Sequence, residues 1–405
     1  MTAAPRRTVT AALVAAAALL GLLVAPGAPV GAEEPDVPYF TEYTGAEVTP
    51  PDTGGSPVVG HFTDQVLDDI LWYAPGAPKE HLWTPCPDCE SGIFTKKQLP
   101  LANQIGGYYE PIVGDFSGSG LDDIYWLNRS SSADYLWTST GAGSFSVRRF
   151  DAPGGELQPL VLTDSGSGDS KDDILWRSFD PGVLSRLWVY PDDGSGTART
   201  KARMRVPAGE ALVGDYDGNG AADILFYPHT TPCRCPTPSA PSSTDTLWRR
   251  ASGTGGTFAV TTMNIKGEYA PLVGRFSGQG DARDDILWVG RYSICCSPPT
   301  DRPDSLWEGR ANGAFTASSQ SFPSPGGGIV LGHDVADTAL ISDSDETRVW
   351  LDTSSGPVVR PVGSQVPPYV AVIDPIIGRF VSADRADLYV LGFEDEPTTL
   401  YHPVS

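Results

Sequence analysis

The sequence predicts an all-β fold: a ring of seven four-stranded antiparallel sheets, with the last sheet completed by a strand from the beginning of the chain. Three observations carry this reading. An Asp followed directly by an apolar run recurs at Asp69, Asp123, Asp173, Asp223, Asp285, Asp337 and Asp387, spaced by 54, 50, 50, 62, 52 and 50 residues. All ten tryptophans fall at only two positions of that repeat. Finally, 45 Gly and 37 Pro in 405 residues disfavour long helices and favour short strands between tight turns. A period of about 50 residues marks a row of supersecondary units, and four short antiparallel strands per unit make one blade of a seven-bladed β-propeller.

Taken in chain order, residues 1–32 are expected to be a secretory signal peptide. Arg6 and Arg7 precede the apolar stretch from Val9 to Val24, and Val30-Gly31-Ala32 before Glu33 has the small residues of a cleavage site. No second long apolar run follows, so after cleavage residues 33–405 are expected to be secreted, free of the membrane and monomeric. The six spacings average 53 residues, and seven such units fill 371 of the 373 residues after Ala32. The last unit stops after its third strand at Thr399-Leu400-Tyr401, while Tyr39-Phe40-Thr41-Glu42, within segment 33–56, reads as a stray fourth strand. Joining the two would close the ring and remove its open edges.

Each unit begins with strand A, as in Pro57-Val58-Val59-Gly60-His61-Phe62 or Pro111-Ile112-Val113-Gly114-Asp115-Phe116. Strand B is the apolar run itself, Ile70-Leu71-Trp72 in the first copy and Ile286-Leu287-Trp288 in the fifth. Strand C carries the second aromatic, at Trp83, Trp137, Trp188, Trp248, Trp307, Trp350 and Tyr401. Strand D follows a Gly-x-Phe turn, as in Gly143-Ser144-Phe145. Tryptophans at strand positions are expected to pack between blades rather than to stack on sugars. A formal charge of −22, from 28 basic and 50 acidic residues, excludes nucleic acid as a partner, since a phosphate backbone would be repelled.

The run Val213-Gly214-Asp215-Tyr216-Asp217-Gly218-Asn219-Gly220-Ala221-Ala222-Asp223-Ile224-Leu225, with its drifted copies over residues 57–405, resembles the FG-GAP/VCBS repeat family. Members of that family form seven-bladed propellers like the head of integrin α-chains. The resemblance implies an extracellular binding or adhesion scaffold and a calcium loop. Asp215, Asp217, Asn219 and Asp223 stand at loop positions 1, 3, 5 and 9, with the Ala221 carbonyl expected to face inward. Hard oxygen ligands at alternate positions of a Gly-rich loop suit Ca2+. One Ca2+ is expected there, against turn amides alone being capped.

The other copies depart from this pattern. The second keeps Asp115 and Asp123 but has Ser117 and Ser119 between them. The third, Asp164 to Asp173, has an insertion that breaks the spacing, His61 opens the first, and the sixth is shortened around Asp337. Arg275 and Arg379 hold the first ligand position of the fifth and seventh, where a fixed cation opposes a metal. Because the final Asp is present in every copy, its general task is expected to be capping loop amides before strand B.

Six cysteines in an exported chain read as disulfides. Cys86 and Cys89, in the first C–D turn, are expected to pair. Cys233 and Cys235 in the fourth B–C loop and Cys295 and Cys296 in the fifth are expected to cross-link those two loops, in a pairing the sequence leaves open, with a zinc site built from the four thiolates as the competing reading. These loops, Tyr227–Thr246 and Val289–Ser305, are long enough to suggest a ligand platform, although tolerated surface drift explains their length equally well. No Gly-x-Ser-x-Gly or His-Glu-x-x-His motif occurs, and the paired carboxylates, such as Asp68-Asp69, recur as turn elements. The expected function is therefore non-catalytic recognition of a glycan or an extracellular protein. The alternative is a carbohydrate-active glycosidase or lyase on the same scaffold.

Overall fold

The computed structural model describes residues 40–42, 55–64, 66–75, 79–89, 93–129, 133–153, 156–163, 171–180, 182–190, 198–228, 244–251, 257–265, 269–277, 282–290, 304–320, 322, 327–331, 338–342, 347–353, 356–362, 375–382, 385–391 and 398–403. The signal-peptide expectation, Cys233, Cys235, Cys295, Cys296 and most of the two long B–C loops lie outside them.

Seven sheets of four antiparallel strands form the ring. In blade 1 strands A to D are Ser56–Gly60, Asp69–Tyr73, His81–Pro85 and Phe94–Gln98. Blade 2 has Glu110–Gly114, Asp123–Leu127, Asp134–Ser139 and Phe145–Phe150. Blade 3 has Leu157–Leu162, Asp173–Ser178, Ser185–Val189 and Arg199–Met204. Blade 4 has Glu210–Gly214, Asp223–Tyr227, Thr246–Arg250 and Phe258–Thr262. Blade 5 has Tyr269–Gly274, Asp285–Gly290, Ser305–Gly309 and Phe315–Ser319. Blade 6 has Gly327–Leu331, Thr338–Ser342, Thr347–Thr353 and Gly356–Pro361. Blade 7 has Ile376–Ser382, Arg385–Val390 and Thr399–Pro403, and its strand D is Phe40–Glu42. That closing strand pairs Phe40 with Pro403, Thr41 with His402 and Glu42 with Tyr401, as the truncated last repeat requires.

The repeat explains the packing. Strand B is buried end to end in blades 1 to 5, which is why it reads as a continuous apolar run rather than an alternating one. The residue after the repeat Asp faces the strand C aromatic, as in Ile70–Trp83, Ile124–Trp137, Ile174–Trp188, Ile224–Trp248 and Ile286–Trp307. Blade 6 is shifted by one, with Trp350 opposite Ala339. In blades 1 to 5 the third residue of the run meets the strand C tryptophan edge to face, at ring separations between 5.2 Å for Trp72–Trp83 and 5.4 Å for Trp176–Trp188. All ten tryptophans are buried, so none is available to a ligand. The core is divided into seven clusters, each spanning two neighbouring blades. The closing seam packs Ile70, Trp72, Trp83 and Phe94 of blade 1 against Ile376, Phe380, Tyr389 and Leu400 of blade 7.

The seams also have a polar clasp, made by the Asp doublets that recur in the A–B turns. The first Asp of a doublet reaches back to the preceding blade and accepts the N–H at loop position 1 there. His61 N donates to Asp122 Oδ2 at 2.7 Å, Asp115 N to Asp172 at 2.9 Å, Asp215 N to Asp284 at 2.7 Å and Arg379 N to Asp68 at 2.8 Å. The backbone reciprocates: the N–H groups of Asp122, Asp172, Asp284 and Asp68 donate to the carbonyls of His61, Asp115, Asp215 and Arg379. At ring closure the Arg379 guanidinium also grips Asp68, with Nη2 at 3.0 Å from Oδ1. Blade 4 has Ala222 in place of the clasping Asp and keeps only the backbone bond from Ala222 N to the Thr163 carbonyl.

Candidate functional site

The Asp215 to Asp223 loop connects strands A and B of blade 4. Tyr216 at loop position 2 is buried against Phe315, and this alternation leaves positions 1 and 3 on the other side of the chain. Gly218 and Gly220 have φ of +73° and +84°, a left-handed backbone that a side chain would strain. Asp215 organises the bend, its Oδ1 accepting the N–H groups of Gly218 and Asn219 and its Oδ2 that of Gly220. Carboxylate oxygens of Asp215, Asp217 and Asp223 all lie within 4.8 Å of one another.

The remaining predicted residues take part differently. Asn219 Oδ1 accepts the Ala221 N–H at 2.8 Å, and its Nδ2 donates to the Arg250 carbonyl at 2.8 Å. Ala221 is fully buried in the same loop. Asp223 Oδ1 accepts the Arg250 N–H, whereas Asp223 Oδ2 and Asp217 Oδ1 are buried without a hydrogen-bond donor. Burial, with the charges of Asp217 and Asp215, pushes the Asp223 carboxyl up to about 7. Burial and Asp215 raise Asp217 as well. Two orphaned buried carboxylate oxygens beside a third carboxylate form a donor set of the kind a hard divalent cation satisfies.

The other blades show what the repeat Asp does without such a cluster. Its Oδ2 accepts the N–H of Phe62 in blade 1, of Ser277 in blade 5 and of both Phe380 and Val381 in blade 7. In blade 3 Asp173 Oδ2 is held by the guanidinium of Arg250, reaching across from blade 4. In blade 2 Asp123 Oδ2 is orphaned like that of Asp223, in a loop whose Asp115 makes the same three amide bonds, but with serines between the two carboxylates. The expectation that the repeat Asp caps loop amides before strand B holds in blades 1, 5 and 7, but it is half of the residue's task. The other oxygen caps an amide just beyond the strand C aromatic, at Ser139, Tyr190, Arg250 and Gly309. Where proline removes that donor, at Pro85 and Pro403, Thr63 Oγ1 and His402 Nδ1 take its place.

Sequence reasoning missed a mirror-image cap on the opposite face, three residues before the strand C aromatic. Asp134 accepts the N–H of Asn128, Asp245 that of Ile265, Asp304 those of Gly290 and Phe322, and Ser185 that of Ser178. The signal was present as an acidic or hydroxyl residue at a fixed offset from each strand C aromatic. In blade 1 the position holds Glu80, which is fully buried, and burial raises its pKa. Cys86 and Cys89 form the expected disulfide in the first C–D turn.

No family model and no curated protein matches the chain. Among solved structures, the chain is similar to an Agrocybe aegerita lectin that specifically recognises non-reducing terminal N-acetylglucosamine. That likeness has a TM-score of 0.52 at 13% identity and covers 76% of this chain and 80% of the lectin. The biofilm matrix protein Bap1 of V. cholerae is similar over 86% of this chain and 77% of its own, at 10% identity and a TM-score of 0.26. At 13% identity the lectin shares the fold.

Proposed function

We propose that the chain is a secreted, non-catalytic binding or adhesion scaffold that recognises a glycan or an extracellular protein and is stiffened by one Ca2+. The metal would be held by Asp215, Asp217 and Asp223, with Asn219 and the Ala221 carbonyl completing the loop. The observation that carries the reading is the closed ring. Seven aromatic seams and a strand-paired closure hold the loops of both faces on a rigid frame, which is what a recognition surface needs. The two orphaned oxygens of the fourth loop support the metal. The likeness in fold to a lectin supports the glycan arm as an analogy of fold. The Arg6-Arg7 and Val9–Val24 pattern and the Cys86–Cys89 bond support export to an oxidising compartment.

The test is to present the purified chain with a panel of immobilised polysaccharides and extracellular-matrix proteins while measuring released sugar. Retention without turnover is the expected result. Saccharide cleavage that disappears when a single carboxylate is changed would refute the reading in favour of a glycosidase or lyase.

A further inference from the structure

With every tryptophan buried, a ligand must find other aromatics, and two stand out on the face that carries the B–C and D–A connections. Tyr108 precedes strand A of blade 2 and is 80% exposed; Phe179 follows strand B of blade 3 and is 60% exposed. Neither is on a loose tether. Tyr73 Oη donates to the Gly107 carbonyl and accepts the Tyr109 N–H at 2.7 Å, and Asn128 Nδ2 donates to the Tyr108 carbonyl at 3.3 Å. The backbone is thus pinned at Tyr108 and on both sides of it. Phe179 has the guanidinium of buried Arg177 over its ring at 4.5 Å, and that guanidinium is fixed by the carbonyls of Pro207 and Gly209, each at 2.7 Å.

On the same face, where blades 2 and 3 meet, lies a polar pair. Arg129 Nε and Nη2 bind Glu110 Oε2 at 2.8 and 2.6 Å, both side chains being about half exposed. Arg129 Nη1 donates to the carbonyl of Leu157, whose strand partner Ser178 adjoins Phe179. Of the five guanidinium N–H groups three are engaged, which leaves two, and Glu110 Oε1 has no partner among the described residues. Two donors beside a carboxylate oxygen form a planar set that can pair with vicinal hydroxyls. An exposed ring next to it offers a flat apolar surface to the C–H face of a pyranose.

From this geometry we infer that Tyr108, the Arg129–Glu110 pair and Phe179 form a binding site for a neutral oligosaccharide across blades 2 and 3. This rests on, and sharpens, the glycan arm of the function proposed above. The chain's charge of −22 repels polyanionic saccharides. Two exposed rings on different blades, with an exposed ion pair on the same face, also lack the contiguous apolar centre of a protein interface.

The experiment screens the wild-type chain on a printed glycan array and then titrates the strongest neutral oligosaccharide by calorimetry against Tyr108→Ala, Tyr108→Phe, Phe179→Ala and Glu110→Gln. Expected are losses of about tenfold or more in affinity for Tyr108→Ala, corresponding to ~1.4 kcal/mol, a loss in the same direction for Phe179→Ala and Glu110→Gln, and near wild-type affinity for Tyr108→Phe. The melting temperatures should move by no more than about 1 °C, since the lost cation–π contact of Phe179 and the half-exposed Glu110 pair are worth only about 0.5–1 kcal/mol each. Should Tyr108→Ala fail to fold, Phe179→Ala and Glu110→Gln decide the question alone. Wild-type saccharide binding that survives these substitutions would overturn this site and leave the functional reading standing. An array with no bound saccharide would overturn both the site and the glycan arm, and binding confined to anionic glycans or to a protein would overturn the site.

Discussion

The sharpest test of the fourth loop is Asp217→Asn, because two readings of that residue predict opposite signs. If the three carboxylates are a metal cage, then without metal they repel one another. At 4.8 Å a pair of unit charges costs about 3 kcal/mol for an effective dielectric near 20. Neutralising Asp217 removes two of the three repulsive pairs and gives up one longer ion pair, Arg249 Nη1 to Asp217 Oδ2 at 3.8 Å, so in EDTA the variant should melt no lower than wild type. With Ca2+ at a hundredfold excess over its Kd the wild type should gain ~2.7 kcal/mol. Unfolding entropy near 2.1 cal/mol/K per residue makes that only about 3 °C over a ring of this length. The variant should show no such gain. Differential scanning calorimetry in EDTA and in millimolar Ca2+ provides the four melting temperatures. The reasoning is refuted if wild type melts alike in both, or if Asp217→Asn loses the same amount in both, as a turn-capping residue would.

Phe40 is buried in the seam between blades 6 and 7, so Phe40→Ala should destabilise the ring by ~3–5 kcal/mol in denaturant unfolding. Deleting the closing strand should add dimers or larger species on size exclusion, through the bare edge of Thr399–Pro403. Arg250→Met removes the buried guanidinium that holds Asp173 Oδ2 and should cost ~3–5 kcal/mol, and Asp173→Asn in the same chain should restore most of that loss in a double-mutant cycle. Burial holds Asp69 and Asp285 at about 6, above the 3.8 of the free side chain. The folded state therefore binds the extra protons, and their stabilising contribution is complete below about pH 4 and lost as pH rises through 6. Melting temperature in metal-free buffer should fall over that window, less steeply for Asp69→Asn.

The parts of this fold that were legible in the sequence are those that repeat. Ile-Leu-Trp recurs because strand B is sandwiched on both sides, and the fourth strand missing after Tyr401 pointed to Phe40–Glu42. The carboxylate cluster of Asp215, Asp217 and Asp223 was legible from spacing alone. The inter-blade clasp was visible as a recurring Asp doublet, but doublets are read along the chain, whereas Asp68 and Arg379 are 311 residues apart and meet only when the ring closes. Tyr108 and Phe179 had no signal at all. They belong to no repeat position, and a side chain exposed at one place in the ring has no period to betray it.

The six repeat Asp residues among the described residues pose one problem, a carboxylate placed under the loops. In blades 1, 5 and 7 backbone N–H groups supply the missing positive charge to Oδ2, and in blade 3 a guanidinium from the next blade does so. Once an amide or an arginine fills the role, acids at loop positions 1 and 3 only add repulsion, which accounts for arginine at 275 and 379. No donor reaches Oδ2 of Asp123 in the second loop or of Asp223 in the fourth; both loops keep the acid at position 1, and only the fourth also keeps one at position 3. Arg250 joins the two solutions: its guanidinium holds Asp173 of blade 3, while its backbone N–H and carbonyl hold Asp223 and Asn219 of the fourth loop. A cation drawing Asp223 and Asn219 together would therefore tighten the seam that lost its clasping Asp at Ala222. Ca2+ should slow hydrogen exchange at Ala222 and Tyr190, beside that seam, more than at equivalent amides of blades 6 and 7; uniform protection around the ring would show that the loop acts alone.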